Sequence, residues 1–284
     1  MNKEYLYLMT MRPLTLNDIH QRLLEIASVF HRLCEKHGIP YYMLGGSMLG
    51  AIRHKGFIPW DDDMDFGIPR EHYVRFVEVA VKELPEPYRL ITYATSEYAM
   101  MGFAKMMDVT TRVEEEFQPR SNETLGVNID IFPLDHCDEK CGIWSGNFRT
   151  RALFKLQKLL FVEAKNRPLP KKILAKTVQL LIPISRTRIP KHQDMKLSTR
   201  SKGDVEKYNC YANYFGAWGL KEVVPKTVFG KPTLYAFENI KLYGAEQYDA
   251  YLRHLYNDYM QLPPVDQRHV HQLKAFGEER DGRF

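Results

Sequence analysis

Tyr41-Tyr42-Met43-Leu44-Gly45-Gly46-Ser47-Met48-Leu49-Gly50, followed after a short interval by Trp60-Asp61-Asp62-Asp63-Met64-Asp65-Phe66-Gly67-Ile68, is the most informative stretch of this 284-residue chain. The apolar run Tyr41 to Leu44 reads as a short strand. Gly45-Gly46-Ser47 reads as a turn, and Met48 to His54 as a short helix. A second strand begins near Asp63 and carries Phe66 and Ile68. Strand, glycine turn, helix and strand in close succession point to a mixed fold.

Outward from this stretch the same mixture continues. Ile19, Leu23, Ile26, Phe30 and Leu33 recur at spacings of four and three, which predicts an amphipathic helix over 15–37. Thr15 or Asn17 can cap it, and Gly38 with Pro40 ends it. Glu71 to Glu83 predicts a second helix, with Tyr73, Phe76, Val77 and Ala80 on one side. Leu90–Tyr93, Gly102–Asp108 and Val127–Phe132 are strand candidates, and Tyr248–Tyr259 a late helix. The fold class expected is α+β, a mixed sheet flanked by helices, with a basic helical insertion and a C-terminal helical region. The expected division is a catalytic core over 15–135, the insertion over 136–206, a C-terminal part of the same domain over 207–271, and a loose tail over 272–284.

Composition excludes several classes. With 44% hydrophobic and 26% charged residues the chain is neither collagen-like nor globally disordered. Residues 1–12 lack a long apolar core with a small-residue cleavage site, and Ile173–Ile184 is too short and too interrupted to span a bilayer. A cytoplasmic protein is expected. Its four cysteines are too scattered for a secreted disulfide framework; Cys137 and Cys141 with His136 make one loose pair, against the four ligands of a structural zinc site, so reduced thiols are the default. Charge is uneven. Between Arg149 and Lys202 fifteen Lys and Arg are opposed by Glu163 and Asp194 alone, so the rest of this +5 chain is net negative. Residues 149–202 are thus a candidate peripheral contact with an anionic membrane, a lipid-linked phosphate or an acidic glycan, with a solvated helical face as the plain alternative. No nucleic-acid partner is expected, because no recognised binding motif accompanies the charge.

The acids carry the chemistry. Four carboxylates in five residues repel one another unless a cation or solvent compensates them. On an extended chain Asp61, Asp63 and Asp65 share one face. Mg²⁺ (or Mn²⁺) takes one or two such carboxylates together with phosphate oxygens and water. An EF-hand does not fit, since Phe66 and His72 stand where Gly and Glu are needed. A solvated acidic turn and the DxD metal site of a nucleotide-sugar glycosyltransferase remain alternatives. Gly45, Gly46 and Ser47 form a candidate phosphate cradle at a helix start. Arg53 and Lys55 are candidate phosphate contacts, as is Lys105, with surface charge or a salt bridge as the alternative. Asp130, in Val127-Asn128-Ile129-Asp130-Ile131-Phe132, is the candidate third acid; Asp135 is read as a turn cap. Tyr41, Tyr42, Trp60 and Trp218 are available for a cationic headgroup or for the core, and Arg268 and His271 are near enough the end to reach back.

These blocks together resemble the LicD family of phosphotransferases, within the nucleotidyltransferase superfamily. The resemblance runs from Cys34 through Leu44-Gly45-Gly46-Ser47-Met48-Leu49-Gly50-Ala51-Ile52-Arg53-His54-Lys55-Gly56-Phe57-Ile58-Pro59-Trp60 to Asp65. It resumes at Gly126–Asp135, at Phe237-Glu238 and at Tyr256–Pro264, covering about 20–271 with the basic segment as the variable part. Asn257 departs from the glycine usual there. The resemblance implies a nucleotidyltransferase-type sheet and transfer of phosphocholine from CDP-choline to teichoic acid or lipopolysaccharide glycans. Fukutin-like relatives imply ribitol phosphate from CDP-ribitol instead. It implies Asp63, Asp65 and Asp130 as metal ligands and catalytic residues, with Asp61 assisting and Gly46 and Ser47 as the phosphate turn; from the charges, Asp130 or Asp65 is the candidate base, and Trp60 is a candidate contact to the donor. A glycosyltransferase and an inactive binding protein of the same fold stand as rivals.

Overall fold

The computed structural model describes residues 11–96, 102–114, 117–119, 123–138, 152–153, 156, 162–164, 168–181, 188–200, 205–216, 218–264, 268 and 274–278. Cys141, His271 and much of 139–167 lie outside the described residues.

Helix α1 spans Leu16–His37. The Thr15 hydroxyl accepts the Asp18 N–H while the Asp18 carboxylate accepts the Thr15 N–H, a reciprocal cap worth about 1 kcal/mol. Gly38, at φ 59, stops the helix in a conformation glycine adopts without penalty. The face with Ile19, Leu23, Ile26, Phe30 and Leu33 is buried. Asn17 is inside the helix, so Thr15 is the cap.

Helix α2 covers Gly45–Arg53 and starts earlier than the sequence suggests. Leu44 is extended and serves as its N-cap, so the expected turn Gly45-Gly46-Ser47 is the first helical turn. Strand β3, Asp65–Pro69, begins later than expected: residues 61–64 have no regular structure, and alternation along a strand does not set the directions of Asp61 and Asp63. Helix α3, Arg70–Glu83, follows β3 directly.

The main sheet is organised by β8, Asn128–Cys137, which extends five residues beyond the expected end at Phe132. One edge of β8 runs parallel to β3, from Asp65↔Asp130 to Pro69↔Leu134. Its other edge pairs antiparallel first with β5 (Ala104–Asp108), placing Lys105 opposite Asp130, and then with β10 (Cys210–Ala212). Strands β2 (Tyr42–Met43), β4 (Tyr88–Ile91) and β11 (Val223–Pro225) complete a seven-stranded mixed sheet. Helices α1 and α3 pack on β8. The fold is α+β.

Smaller pieces surround this sheet. β1 (Arg12–Pro13), β14 (Lys274–Gly277) and β6 (Thr111–Glu114) form a three-stranded sheet with β14 in the middle. Residues 274–277, expected in a loose tail, are therefore a paired strand. β7 (Phe117–Pro119) pairs with β9 (Val162–Ala164), and β12 (Thr233–Phe237) with β13 (Ile240–Gly244). Helices α4 (Leu169–Leu181) and α5 (Arg188–Arg200) lie in the basic segment. α6 is Lys226–Phe229; α7, Tyr248–Tyr256, ends one turn before the expected Tyr259. Among the described residues no helix is long and apolar enough to cross a membrane.

Candidate active site

Sheet register assembles the site. Asp65 at the start of β3, Asp130 in β8 and Lys105 in β5 are neighbours across three adjacent strands. Lys105 Nζ donates to Asp130 Oδ1 at 2.6 Å and to Asn128 Oδ1 at 3.1 Å. Its side chain therefore meets a carboxylate, the salt-bridge alternative, and orients Asp130. The chain leading into β3 brings Asp61 back over α2: a Cβ on Gly46 would lie 2.7 Å from Asp61 Oδ2. A larger residue at 46 would therefore displace the Asp61 carboxylate. Glycine at 45 is required by conformation, with φ 49. Around Gly45 stand the Asp65 carboxylate and the Tyr256 hydroxyl, 3.8 and 3.5 Å from where its Cβ would be.

Second contacts hold these groups in place. Ser47 is buried, and its hydroxyl oxygen accepts the Asp65 N–H at 2.8 Å, tying the first turn of α2 to the start of β3. Gly45 N–H donates to the Tyr251 hydroxyl at 3.0 Å. The His20 ring, stacked on Phe57, meets the Asp61 carbonyl at 2.6 Å and fixes that backbone from α1.

The electrostatics are one-sided. Loss of solvent pushes the Asp65 carboxyl well above the ordinary carboxylate range, and the charges of Asp63, Asp130, Glu222 and Asp61 push it further. Burial raises the Tyr256 hydroxyl too, and the nearest charges acting on it are Asp65 and Asp61. Five acids from three separated segments therefore act on one small volume. Asp63 is exposed, whereas Asp62 is buried. Among the described residues no three His, Cys, Asp or Glu side chains are already gathered as a metal-binding group.

Other candidates fall differently. Arg53 donates to the Tyr259 carbonyl at 2.7 Å and so anchors the segment after α7. Lys55 is exposed, at φ 63. Trp60 is half-buried, with the Arg268 guanidinium 4.5 Å over its ring. Tyr41 and Tyr42 belong to the core, while Trp218 is 49% exposed and meets Tyr256 edge-on at 5.3 Å. Asp135 is no turn cap: it forms a buried, two-pronged ion pair with Arg70. Cys137 is buried opposite Cys210, and His136 Nε2 bonds Glu71 Oε2 at 2.8 Å. The sequence does not single out Glu222, Tyr251, Tyr256 or His20; Tyr251 and Tyr256 reach the site together from α7, and Glu222 and His20 each from a separate distant segment. Tyr256 did fall in a quoted block, which is the signal that could have found it.

A family profile described as LicD/FKTN/FKRP, nucleotidyltransferase domain, matches residues 38–172. The chain is 30% identical over 269 residues to the lipopolysaccharide cholinephosphotransferase LicD of Haemophilus influenzae, spanning 93% of this chain and 98% of the relative. It is 48% identical over 46 residues to the ribitol 5-phosphate transferase FKRP of Homo sapiens and of Mus musculus, spanning 16% of this chain and 9% of those proteins. Alignment over nearly the full length of both chains makes this protein a member of the LicD family.

Proposed function

We propose that this chain is a phosphotransferase that moves phosphocholine from CDP-choline to a hydroxyl of a cell-surface glycan, lipopolysaccharide or teichoic acid being the class of acceptor. The full-length likeness to a cholinephosphotransferase supports the class of reaction. The observation that carries it to residues is the Asp65↔Asp130 register beside the Gly45-Gly46 turn. The reading carries with it a nucleotidyltransferase-like architecture and a cytoplasmic location. The higher local identity to the ribitol 5-phosphate transferases supports a second reading, in which the group moved is an alditol phosphate.

The residues suggest a division of labour. The Gly45 N–H is taken by Tyr251, but those of Gly46 and Ser47 have no helical carbonyl four residues earlier, and with the helix dipole they suit a donor phosphate. Gly46 leaves room for that approach under Asp61. The acceptor hydroxyl attacks the phosphorus bearing choline, the bond to the bridging oxygen breaks, and CMP leaves. Asp130, oriented by Lys105, or Asp65 accepts the hydroxyl proton. One or two carboxylates beside a phosphate fit the needs of Mg²⁺ or Mn²⁺, which when bound by Asp65 with Asp61, Asp63 or Asp130 would supply neutralisation of the pyrophosphate charge.

The test is a donor panel. With Mg²⁺ present, CDP-choline should raise the melting temperature and release CMP once acceptor glycan is added. CDP-ribitol doing so instead would select the second reading. A UDP-sugar should do neither. Absence of both stabilisation and CMP release with every CDP donor would leave an inactive binding protein as the better account.

A further inference from the structure

The basic segment carries exposed charged and apolar side chains on α4 and α5. Helix α5 has two faces. Ile189, Gln193 and Leu197, at successive intervals of four, are buried, and Leu197 packs with Cys137, Cys210 and Tyr214 at the end of the main sheet. Asp194 on the same helix pairs with the buried Arg70 and accepts the Tyr93 hydroxyl at 2.9 Å. α5 is therefore fastened to the core. Its opposite face, Arg188, Lys191, His192, Met195 and Lys196, is exposed.

Helix α4 combines the same charge with exposed apolar bulk. Leu169, Ile173 and Leu174 are 72, 59 and 52% exposed, with Lys172 and Lys176 exposed beside them. Large aliphatic side chains grouped on one helix are costly in water and mark a surface that something covers. Lysines beside such a group are the pattern of a helix lying in a bilayer interface, with apolar side chains in the acyl boundary and ammonium groups at the phosphates.

We propose that α4 and the outward face of α5 form a docking surface for a membrane of anionic phospholipids. Charge complementarity selects this occupant. A second copy meeting the first through the same face would set cationic face against cationic face. A nucleic acid would satisfy the lysines and leave Ile173 and Leu174 in water. Because Arg70 and Asp194 lock α5 to the sheet, a chain docked in this way holds its carboxylate site in a defined position relative to the bilayer. The inference stands on the surface alone, so it survives a failure of the donor assignment.

The experiment uses the full chain in sedimentation with vesicles of pure phosphatidylcholine or of phosphatidylcholine rich in phosphatidylglycerol. The chain should partition onto the anionic vesicles at least about 10-fold better, and lose this as salt rises. Ile173→Asp with Leu174→Asp, and separately Lys191→Glu with Lys196→Glu, should each reduce binding about 10-fold or more with the melting temperature unchanged. Four results would overturn the proposal: equal binding to both vesicles, no binding, binding indifferent to either pair, or a concentration-dependent dimer abolished by the aspartate pair. Tight binding of an RNA oligonucleotide that depends on the lysines but not on Ile173 and Leu174 would overturn it as well.

Discussion

Two charged clusters sit on the same pair of strands, and they are built oppositely. Five residues beyond Asp130 on β8 stands Asp135, beside Arg70, the first residue of α3 directly after β3, a distance of about 17 Å from the first cluster. In the second cluster opposite charges are matched: Arg70 takes Asp135 with two nitrogens, at 2.7 and 3.0 Å, and Asp194 with a third. In the first, Asp65 faces Asp63, Asp130, Glu222 and Asp61, and the nearby cation Lys105 is directed at Asp130. Matched charges in an interior hold elements together. Like charges gathered in one place are a cost that persists where a ligand relieves it. The matched cluster fastens α5; the unmatched one lies at the glycine turn.

That contrast can be broken in order of effect. Asp65→Asn should lower the rate of CMP release by about 10³-fold or more, roughly 4 kcal/mol, with circular dichroism unchanged. Near-normal turnover would remove the unmatched cluster from the chemistry. Arg70→Met leaves Asp135 buried without its partner and should destabilise the fold by about 3–5 kcal/mol in urea titration. Adding Asp135→Leu should restore most of that, and failure to do so would mean the pair does more than balance charge. Gly46→Ala puts a methyl group 2.7 Å from Asp61 Oδ2, and the carboxylate has to move. About a 10- to 100-fold fall in turnover is expected with little change in Tm, whereas Gly50→Ala, whose methyl would meet the Gly56 carbonyl, should lower Tm instead. Tyr256→Phe removes one hydroxyl beside Gly45 and should change turnover less than about 10-fold.

The two clusters were not equally legible. The acids and glycines stood out because four carboxylates in five residues have no ordinary structural use, and α1 was plain from its spacing and its capping threonine. What pairs with what was hidden. Nothing local tells that Asp130 lies beside Asp65, or that Asp135 waits for Arg70, because register is a property of two distant segments. The hairpin of β12 and β13 escaped notice since its turn, Glu238-Asn239, lacks a glycine, although Glu238 adopts φ 52. There the Glu238 side chain accepts the Phe57 N–H at 3.0 Å, a structural use for a block first noticed as resemblance. Asn257 departs from glycine and sits at φ 58 and ψ −112, outside the left-handed helical region that asparagine favours, so a side chain is strained at that turn.

Asp65 is held against like charge, and its response to pH shows this. Its folded-state proton affinity is raised, so any stability it contributes is complete below the unfolded carboxylate value, about 3.9, and lost as pH rises through the raised one. Melting of wild type and Asp65→Asn should be compared from pH 4 to pH 8 in the presence of a chelator. Equal midpoints are expected at the acid end, and a more stable Asn variant at the alkaline end. A wild type that gains on the variant as pH rises would contradict it.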